Sequence, residues 1–575
     1  MEITAHTSNT RVRLLFICMA SLVFQFNTYA QETEEQPDYT SDVPKYSLPN
    51  TLEAQEEALE KNPMMQHFAK SREQLSCDPY RPFYHFVNPE GNLNDPNGLA
   101  FWNGNWHLFY QAYPPEDPRQ HWGHAVSKDL VHWRDLPLAI YPGPERASYS
   151  GSAWVEDDRV IAMYHGPRAG NMVAISEDPL LLNWEKVTGK AVISIDDSTG
   201  FPLPYAVYDP NIWKKDGVYY SISGGRAAEA PAGKPIPRGY LFRSNDLEHW
   251  QYMHSFVEDD HFTMIGDDYA CPYFWPIGDK YIMPFYSHMS GGQYLLGAYD
   301  KERDKFRATD HGYFNFGPST PAGVHAPSAT PLGEDVIVIF NMNPAYPTEG
   351  WNQIMTLPRR LSLTDGGKLG IEPAGDIESL RYHHRRVDPM TLSANEEIVL
   401  DAVEGNAMEI MAEIDPQDAP MVEINVLRSP NKEEYTRIAL FPYRGYSDGR
   451  NYWRERGEAP PNKERQPRKS ILTLETSYSS ILPEAESRAP ETAPFPLEKG
   501  ETIELRIFID KSVVEVFVNG IQAVAARVYP GLEESIGVSL RSQGQPSRLL
   551  SLDAWQMKKT WEITRDEWHK KPVWR

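Results

Sequence analysis

The sequence predicts an all-β protein, a five-bladed β-propeller followed by a C-terminal antiparallel β-sandwich. Three observations predict this fold. A unit of roughly 55–60 residues recurs in the middle of the chain. Each unit holds short alternating strands separated by Gly, Asp and Asn turns, which is typical of propeller blades. The spacing of strands and turns then changes before the predicted second domain, which begins near residue 400. A single β-sandwich with coincidental dipeptides is the alternative fold.

The repeat is clearest where each unit closes. The segment S-K-D-L-V-H-W from Ser127 to Trp133 recurs as S-N-D-L-E-H-W from Ser244 to Trp250, and a looser copy runs from Ser176 to Trp184. Five unit openings can be read, at Asp95, Ser150, Asp209, Cys271 and Ala326. The first strand of every blade lies beside the central axis of a propeller. Asp95 and Asp209, two blades apart, are therefore predicted to be neighbours in space.

The N-terminus has the pattern of an export signal. Arg11 and Arg13 precede an apolar run from Leu14 to Phe26, and small residues follow up to Ala30. A basic start, an apolar stretch too short to span a bilayer and a small-residue cleavage position are typical of a signal peptide. We expect cleavage after Ala30 and a secreted or periplasmic mature protein. A buried N-terminal helix is the alternative interpretation.

The strand pattern after residue 400 predicts the second domain. Period-two apolar residues run through Ile503–Asp510, Val513–Val518 and Ile521–Val528, and the Asn519-Gly520 dipeptide is a strong hairpin signal. The predicted organisation is a signal peptide at 1–30, an N-terminal tail at 31–75 with a short helix near Leu52–Lys61, a propeller at 76–385 that carries the catalytic residues, a linker at 386–400, a β-sandwich at 401–558 and a C-terminal tail at 559–575.

Composition narrows the list of partners. The 575 residues include 56 Lys and Arg against 80 Asp and Glu, a net charge of −24. Such a chain repels nucleic acid and anionic membranes, so neither is an expected partner. Three cysteines argue against a disulfide scaffold, and whether Cys77 and Cys271 pair is left open. No metal-ligand spacing or Gly-rich phosphate loop stands out, so no metal and no cofactor are predicted.

Two carboxylates predict the chemistry. Asp-Pro occurs seven times and by default marks a turn, but only Asp95 and Asp209 open matched units and continue into Asn. Converging carboxylates among aromatic residues, which can stack on sugar rings, suggest glycosidic bond cleavage. In that reaction one carboxylate is the nucleophile and a carboxylic acid protonates the leaving oxygen. A propeller that only binds glycans is the alternative.

Several ordered segments resemble glycoside hydrolase family 32, the invertases, levanases and inulinases. The resemblance covers residues 80–558 in collinear order and is carried by N-D-P-N-G at 94–98, H-L-F-Y-Q at 107–111, the segment 122–133, Y-S-G-S at 149–152, Y-D-P at 208–210, L-P-R-R-L-S-L at 357–363 and the paired strands 505–519. It implies a five-bladed propeller with a β-sandwich, and retaining cleavage of β-fructofuranosyl bonds.

The resemblance also implies roles for single residues. Asp95 matches the family's nucleophile, and Asp209 matches the aspartate that holds the sugar and stabilises the transition state. Positions that line the innermost subsite are matched by Asn94, Gln111, Trp122 and Ser150. Tyr208 stands where the family has Arg, so the subsite is expected to differ there.

The third family motif departs more seriously. The family places its acid/base Glu where this chain has Ala270, before Cys271, and a methyl group cannot carry a proton. Asp268 shares the face of Ala270 on a regular strand, but two residues of rise are about 6.6 Å. Asp268 is the candidate acid, with an ordinary turn residue as its alternative role.

Three functions stay open at this point. The first is an exo-acting fructofuranosidase for sucrose or for fructans of the levan or inulin type. The second is a hydrolase for a different furanoside or ketoside, and the third is a non-catalytic glycan-binding protein that lacks the usual acid. A carbohydrate is the expected ligand in each case. Linkage and chain-length preference, endo or exo action and oligomeric state are not predicted.

Overall fold

The computed structural model describes residues 38–196, 203–230, 233–445, 468–561 and 565–575. The predicted signal peptide and its cleavage site after Ala30 lie outside these residues. The helix predicted near Leu52–Lys61 is confirmed with those bounds (α1). A second helix, α2, follows at Pro63–Leu75, where the Asn62 side chain accepts hydrogen bonds from two backbone N–H groups and Pro63 occupies the first helical position. Within the described ranges, no helix has an apolar length sufficient to cross a membrane.

Five small sheets and one separate two-stranded hairpin follow in chain order between residues 92 and 373. The strands of the first are β1 Asn92–Trp102, β2 Asn105–Tyr113, β3 His121–Ser127 and β4 Trp133–Ile140. Those of the second are β5 Gly151–Val155, β6 Val160–Gly166, β7 Gly170–Ser176, β8 Glu185–Lys186 and β9 Ile193–Ser194. The third region contains β10 Pro210–Lys215, β11 Val218–Ser223, the separate hairpin β12 Arg226–Ala230 and β13 Lys234–Pro237, then β14 Tyr240–Ser244 and β15 Gln251–Ser255.

The fourth and fifth sheets complete this part of the chain. The fourth contains β16 Val257–Glu258, β17 Trp275–Ile277, β18 Lys280–Ser287, β19 Gly291–Asp300 and β20 Lys305–Tyr313. The fifth contains β21 Val324–Leu332, β22 Asp335–Met342, β23 Ile354–Met355, β24 Arg359–Leu363 and β25 Leu369–Pro373. Almost every pairing in the five sheets is antiparallel. The paired strands are also close in sequence, so each predicted repeat corresponds to one of the five sheets.

The recurring closing segment builds the same turn before the outermost strand. Asp129 accepts hydrogen bonds from two backbone N–H groups and from the His132 ring, while the Trp133 indole donates to the carbonyl of Leu130. Asp246, His249 and Trp250 repeat these contacts in the third sheet. The central leucines, Leu130, Leu181 and Leu247, all have positive φ. The sequence repeat is therefore a structural repeat of one turn.

The second part of the chain forms two larger sheets. Its strands are β26 Arg381–Val387, β27 Met390–Leu392, β28 Glu397–Glu404, β29 Ala407–Asp415, β30 Met421–Arg428, β31 Thr436–Phe441, β32 Ser470–Glu475, β33 Glu491–Phe495, β34 Ile503–Asp510, β35 Val513–Val518, β36 Gln522–Arg527, β37 Gly537–Gln543 and β38 Ser547–Met557. One sheet has the order β26-β38-β29-β34-β35-β36 with β27 on β38, and the other has β28-β37-β30-β31-β32-β33. Buried aliphatic residues of both sheets form one core. The all-β prediction is confirmed, as is the Asn519-Gly520 hairpin between β35 and β36.

Strand pairing crosses two of the predicted boundaries. The second part begins at Arg381, inside the predicted 76–385 domain, because β26 pairs with β38. The predicted linker 386–400 contains β27 and the start of β28, which pair with β38 and β37. The predicted tail 559–575 also carries structure, since it includes the short helix α3 Arg565–His569. Its buried Trp568 donates a hydrogen bond to the carbonyl of His132.

Charged side chains join the two parts of the chain. Four of them, His85, Arg359, Asp510 and Glu515, are fully buried, and we call them the seam cluster. His85 lies between the two carboxylates, with Nδ1 2.9 Å from Asp510 and Nε2 3.1 Å from Glu515. The Arg359 guanidinium lies 2.8 Å from Glu515. Although burial favours neutral imidazole, the two carboxylates raise the pKa of His85. Each charge of the seam cluster therefore has an opposite partner.

Candidate active site

A β-bulge positions the predicted nucleophile. Leu93 faces Ala112 and Pro96 faces Tyr110, so Asn94 and Asp95 both oppose Gln111. A bulge inserts one extra residue and redirects side chains near it. The turn-forming sequence N-D-P-N-G thus lies inside β1 rather than outside it.

The carboxylate of Asp95 is held by neighbouring polar groups. Ser150 Oγ donates a hydrogen bond of 2.6 Å to Asp95 Oδ2, and Gln111 Nε2 donates to the same oxygen at 3.3 Å. Gln111 also donates to Ser150 Oγ at 2.8 Å. These three residues were predicted to share a site, and the structure brings them together.

His325 is a site residue that the sequence predictions missed. Its Nδ1 lies 3.2 Å from Asp95 Oδ1, and its ring packs on Tyr286 at a centroid distance of 4.1 Å. Burial raises the pKa of Asp95, but His325, Ser150 and Cys271 outweigh it and lower that pKa below its usual value. His325 precedes Ala326, one of the five unit openings, so radial convergence was the signal that could have identified it.

Cys271 joins Asp95 to Asp209. Its backbone N–H donates to Asp209 Oδ2 at 3.0 Å. Its Sγ lies 3.5 Å from that oxygen and 3.6 Å from Asp95 Oδ2, so the two carboxylate oxygens are no farther apart than the sum of these distances. The predicted proximity of Asp95 and Asp209 is confirmed. Cys271 is a buried free thiol and Cys77 an exposed one, so they do not pair.

The two carboxylates differ electrostatically. Burial and the charge of Asp95 raise the pKa of Asp209 to about 6, although the Cys271 N–H opposes the shift. Burial and both carboxylates raise the pKa of the Cys271 thiol well above its usual range, which keeps the thiol protonated. Asp95 is therefore the carboxylate that stays ionised as the pH falls, and Asp209 is the one that gains a proton first.

The segment around Ala270 contains no Glu, as the sequence indicated. Ala270 forms an isolated antiparallel bridge with Tyr286, with N–H···O distances of 2.9 and 2.8 Å. Tyr269 and Cys271, on either side of it, have φ of +47° and +45°. Such left-handed geometry is uncommon for residues other than Gly. The bridge at Ala270 is therefore flanked by sharp changes of backbone direction.

Asp268 and Asp267 have different surroundings. Asp268 Oδ2 lies 2.8 Å from His288 Nδ1 and 3.9 Å from an Arg226 nitrogen. Asp267 is fully buried, accepts a hydrogen bond of 2.6 Å from Ser287 Oγ and another of 2.6 Å from the Met264 N–H. Asp267 thus stabilises a turn, whereas Asp268 is paired with a histidine.

The remaining predicted lining residues differ in exposure: Asn94 and Tyr208 are at least partly exposed, whereas Trp122 is buried. Asn94 is half-buried and accepts hydrogen bonds from Asn341 at 3.0 Å and Gln353 at 3.3 Å. Tyr208 is 51% exposed beside Asp209, with its ring 6.0 Å from that of His165. Trp122, which was also predicted to line the subsite, is covered by protein. Its ring is completely buried and its indole donates to the carbonyl of Tyr149 at 2.8 Å, so it supports the site from beneath.

A pair of neighbouring carboxylates is typical of glycoside hydrolases. Comparison with family models identifies the family. Residues 85–373 match the glycosyl hydrolases family 32 N-terminal domain, and residues 376–556 match the glycosyl hydrolases family 32 C-terminal domain. The chain belongs to glycoside hydrolase family 32 and is a glycosidase.

Individual relatives agree with the family models. The chain is 28% identical to a levanase of Bacillus subtilis (strain 168) over 528 residues, which cover 85% of this chain and 72% of the levanase. It is 26% identical to a sucrose-6-phosphate hydrolase of Escherichia coli over 495 residues, covering 79% and 90% of the two chains. A solved variant of fructan 1-exohydrolase IIa from Cichorium intybus, in complex with 1-kestose, superposes with a TM-score of 0.70 at 20% identity and covers 84% of this chain and 98% of that one.

Proposed function

We propose that the protein is a retaining hydrolase that removes terminal β-fructofuranosyl units from sucrose or from fructans of the levan or inulin type. The observation that carries the proposal is the meeting of Asp95 and Asp209 at Cys271. Asp95 attacks the anomeric C2 of the fructosyl unit and forms a covalent intermediate, which water then hydrolyses. The names of the relatives, a levanase and a sucrose-6-phosphate hydrolase, support a fructosyl substrate.

Asp209 acts by charge rather than by covalent attack. A carboxylate beside C2 stabilises the positive charge that develops in the oxocarbenium-like transition state. It also accepts hydrogen bonds from the ring hydroxyls. Both roles need the ionised form, and the pKa of about 6 sets the lower end of the pH range in which that form is present.

The five sheets are proposed to form a closed five-bladed propeller, with the two larger sheets as a β-sandwich. Contacts between neighbouring sheets support this ring. Ser150 Oγ bonds Asp95 between the first and second sheets, and Ser152 Oγ accepts from the Ile212 N–H between the second and third. Trp213 packs on Phe274 before the fourth sheet, with centroids 5.5 Å apart. Trp275 donates to Ala329, and Ser328 Oγ accepts from the Leu99 N–H, which returns the contacts to the first sheet.

The role of Asp268 as the acid stays a prediction; the residue lies two positions before Ala270, and its carboxyl group contacts His288. Export is also proposed, on the N-terminal pattern around Arg11 and Ala30. Tyr208 favours one second candidate function, hydrolysis of a different furanoside or ketoside. An exposed phenol ring at the family's Arg position offers a stacking surface in place of a charge.

Product analysis tests the proposed function. The mature protein is incubated with sucrose, levan, inulin, an activated aryl β-fructofuranoside and a panel of other furanosides and ketosides, and early products are followed by NMR. We expect fructose to be released first as the β-anomer. Cleavage of another ketoside alone would select the second candidate. Binding of fructans without turnover of any substrate would show a non-catalytic protein.

A further inference from the structure

Ala270 stands where the family has its acid/base Glu, so a replacement proton donor is sought among the residues around it. Ala270 pairs with Tyr286 in an antiparallel bridge. Asp268 lies two residues before Ala270, and His288 lies two residues after Tyr286. These two side chains meet, with His288 Nδ1 2.8 Å from Asp268 Oδ2. The two chain segments that meet at the Ala270 bridge therefore also bring an acid and a histidine together.

The His288 ring has the exposure that a proton donor needs. The side chain is 63% exposed, whereas that of Asp268 is only 9% exposed. Nδ1 is occupied by Asp268, and the backbone N–H of His288 donates to the other carboxylate oxygen at 3.3 Å. Among the described residues, Nε2 makes no hydrogen bond, so it is available to a substrate oxygen.

The charges around His288 favour its protonated form. Asp268 raises the pKa of His288 most, partial burial lowers it, and Asp209 and Asp95 across the site raise it further. From β12, Arg226 lies 3.9 Å from Asp268 Oδ2 and partly neutralises that carboxylate. Tyr286, two residues earlier on β18, packs edge-on against the ring at a centroid distance of 5.4 Å.

We propose that His288 is the acid and base of the reaction, and that Asp268 is a positioning residue that orients its ring. The inference rests on the proposed function, because it supplies the proton for that reaction. An imidazole also extends farther from the backbone than an Asp carboxyl group. The more exposed His288 ring is therefore better placed than the Asp268 carboxyl group to reach a bound substrate.

The proton balance is complete. In the first step an Asp95 oxygen bonds to C2, the bond from C2 to the leaving oxygen breaks, and the Nε2 proton of His288 moves to that oxygen. In the second step a water oxygen bonds to C2 and gives a proton to neutral Nε2, while the bond from C2 to Asp95 breaks. The enzyme ends with Asp95 ionised and His288 protonated, as it began.

Two other groups near the site fit this role less well. His325 Nδ1 lies 3.2 Å from Asp95 Oδ1, so it is on the side of the nucleophile rather than the leaving group. The Asp268 side chain is only 9% exposed and its Oδ2 contacts His288, so it is less accessible to a substrate oxygen than the His288 ring.

Leaving-group dependence tests the proposal. In His288→Ala we expect kcat/KM for sucrose or fructan to fall by about 10²–10⁴-fold, the usual contribution of a general acid. For an activated aryl fructoside kcat/KM falls less than about tenfold, because a good leaving group needs little protonation. The kcat of His288→Ala on this aryl fructoside falls because the second step lacks a base. Azide attacks C2 without a base, so adding azide restores kcat. Added imidazole partly restores cleavage of the natural substrate.

Asp268→Asn tests the positioning role. Removing its charge lowers the pKa of His288, and the protonated form is lost as pH rises through that pKa. The high-pH limb of kcat/KM therefore moves to lower pH, a shift that a purely structural role would not cause. The matched controls are Asp246→Asn and His249→Ala, because this exposed pair has the same Nδ1–carboxylate contact, at 3.0 Å, in an outer turn of the third sheet. Neither control changes kcat/KM.

Each outcome decides between explanations. Full activity of both His288→Ala and His288→Gln on sucrose or fructan would overturn the inference and leave the proposed function intact. Loss of acid-dependent cleavage in Asp268→Asn with wild-type behaviour of the His288 variants would assign the proton to Asp268. A wild-type protein that cleaves no fructoside, the activated one included, would overturn the proposed function itself. Thermal unfolding of every variant separates these results from misfolding.

Discussion

Two buried groups of charges in this protein are built in opposite ways. In the seam cluster, every ionised side chain contacts an opposite charge, as at Arg359 and Glu515. At the proposed active site, the carboxylates of Asp95 and Asp209 meet across a neutral thiol, and burial together with the charge of Asp95 raises the pKa of Asp209 to about 6. In the seam cluster each buried charge is compensated, whereas at the site two crowded carboxylates have pKa values shifted in opposite directions.

Asp95→Asn is expected to have the largest effect. An amide oxygen is a poor nucleophile, so kcat/KM on every fructoside falls by on the order of 10⁴-fold or more. We expect no comparable fall in the free energy of unfolding, because the substitution removes a negative charge that lies near the Asp209 carboxylate. Steady-state kinetics and thermal unfolding measure the two effects. Full activity in this variant would refute the nucleophile assignment.

Glu515→Gln tests the other side of the comparison. It leaves buried Arg359 and His85 without their shared carboxylate, and breaking a buried pair costs about 3–5 kcal/mol of unfolding free energy. Chemical denaturation measures this loss. Activity per folded molecule is unchanged, since the seam cluster does not contact the site. A large fall in kcat with normal stability would contradict the division into two kinds of cluster.

Asp209→Asn is expected to lower kcat/KM by about 10²–10³-fold, the range for removal of one electrostatic stabiliser. The wild-type rate falls as the pH drops through about 6, where Asp209 becomes protonated, and the variant loses this limb. Because the folded pKa lies above the unfolded value of about 3.9, ionisation of Asp209 costs wild-type stability as pH rises between these values. Asp209→Asn does not lose stability in this pH range, because its amide does not ionise. pH–rate profiles without a limb near 6 in the wild type would argue against the role.

Trp122→Phe is expected to have the smallest effect. It removes the indole hydrogen bond to Tyr149, which is worth about 1 kcal/mol of unfolding free energy. KM stays within about twofold, because the ring is covered by protein. A large increase in KM with unchanged stability would restore Trp122 to the subsite.

The comparison also shows what sequence could predict. The repeat predicted which aspartates converge, because blade geometry links equivalent positions irrespective of side-chain contacts. It could not predict the pairing of Asp268 with His288, which depends on a bridge between Ala270 and Tyr286 flanked by left-handed residues. The place of Trp122 in the subsite was predicted from the family resemblance, which does not show that neighbouring parts of the chain cover its ring completely. The boundary at Arg381 was missed because β26 pairs with β38 at the far end of the chain.

Trapping of the intermediate tests the central claim most directly. His288→Ala is mixed with an activated aryl β-fructofuranoside, quenched and digested, and its peptides are mapped by mass spectrometry. Loss of the base slows the second step, so the account predicts one fructosyl unit on the peptide that contains Asp95, with the ester at that side chain and release on addition of azide. A fructosyl unit on another carboxylate, or rapid turnover through products of inverted configuration with no adduct at Asp95, would contradict it.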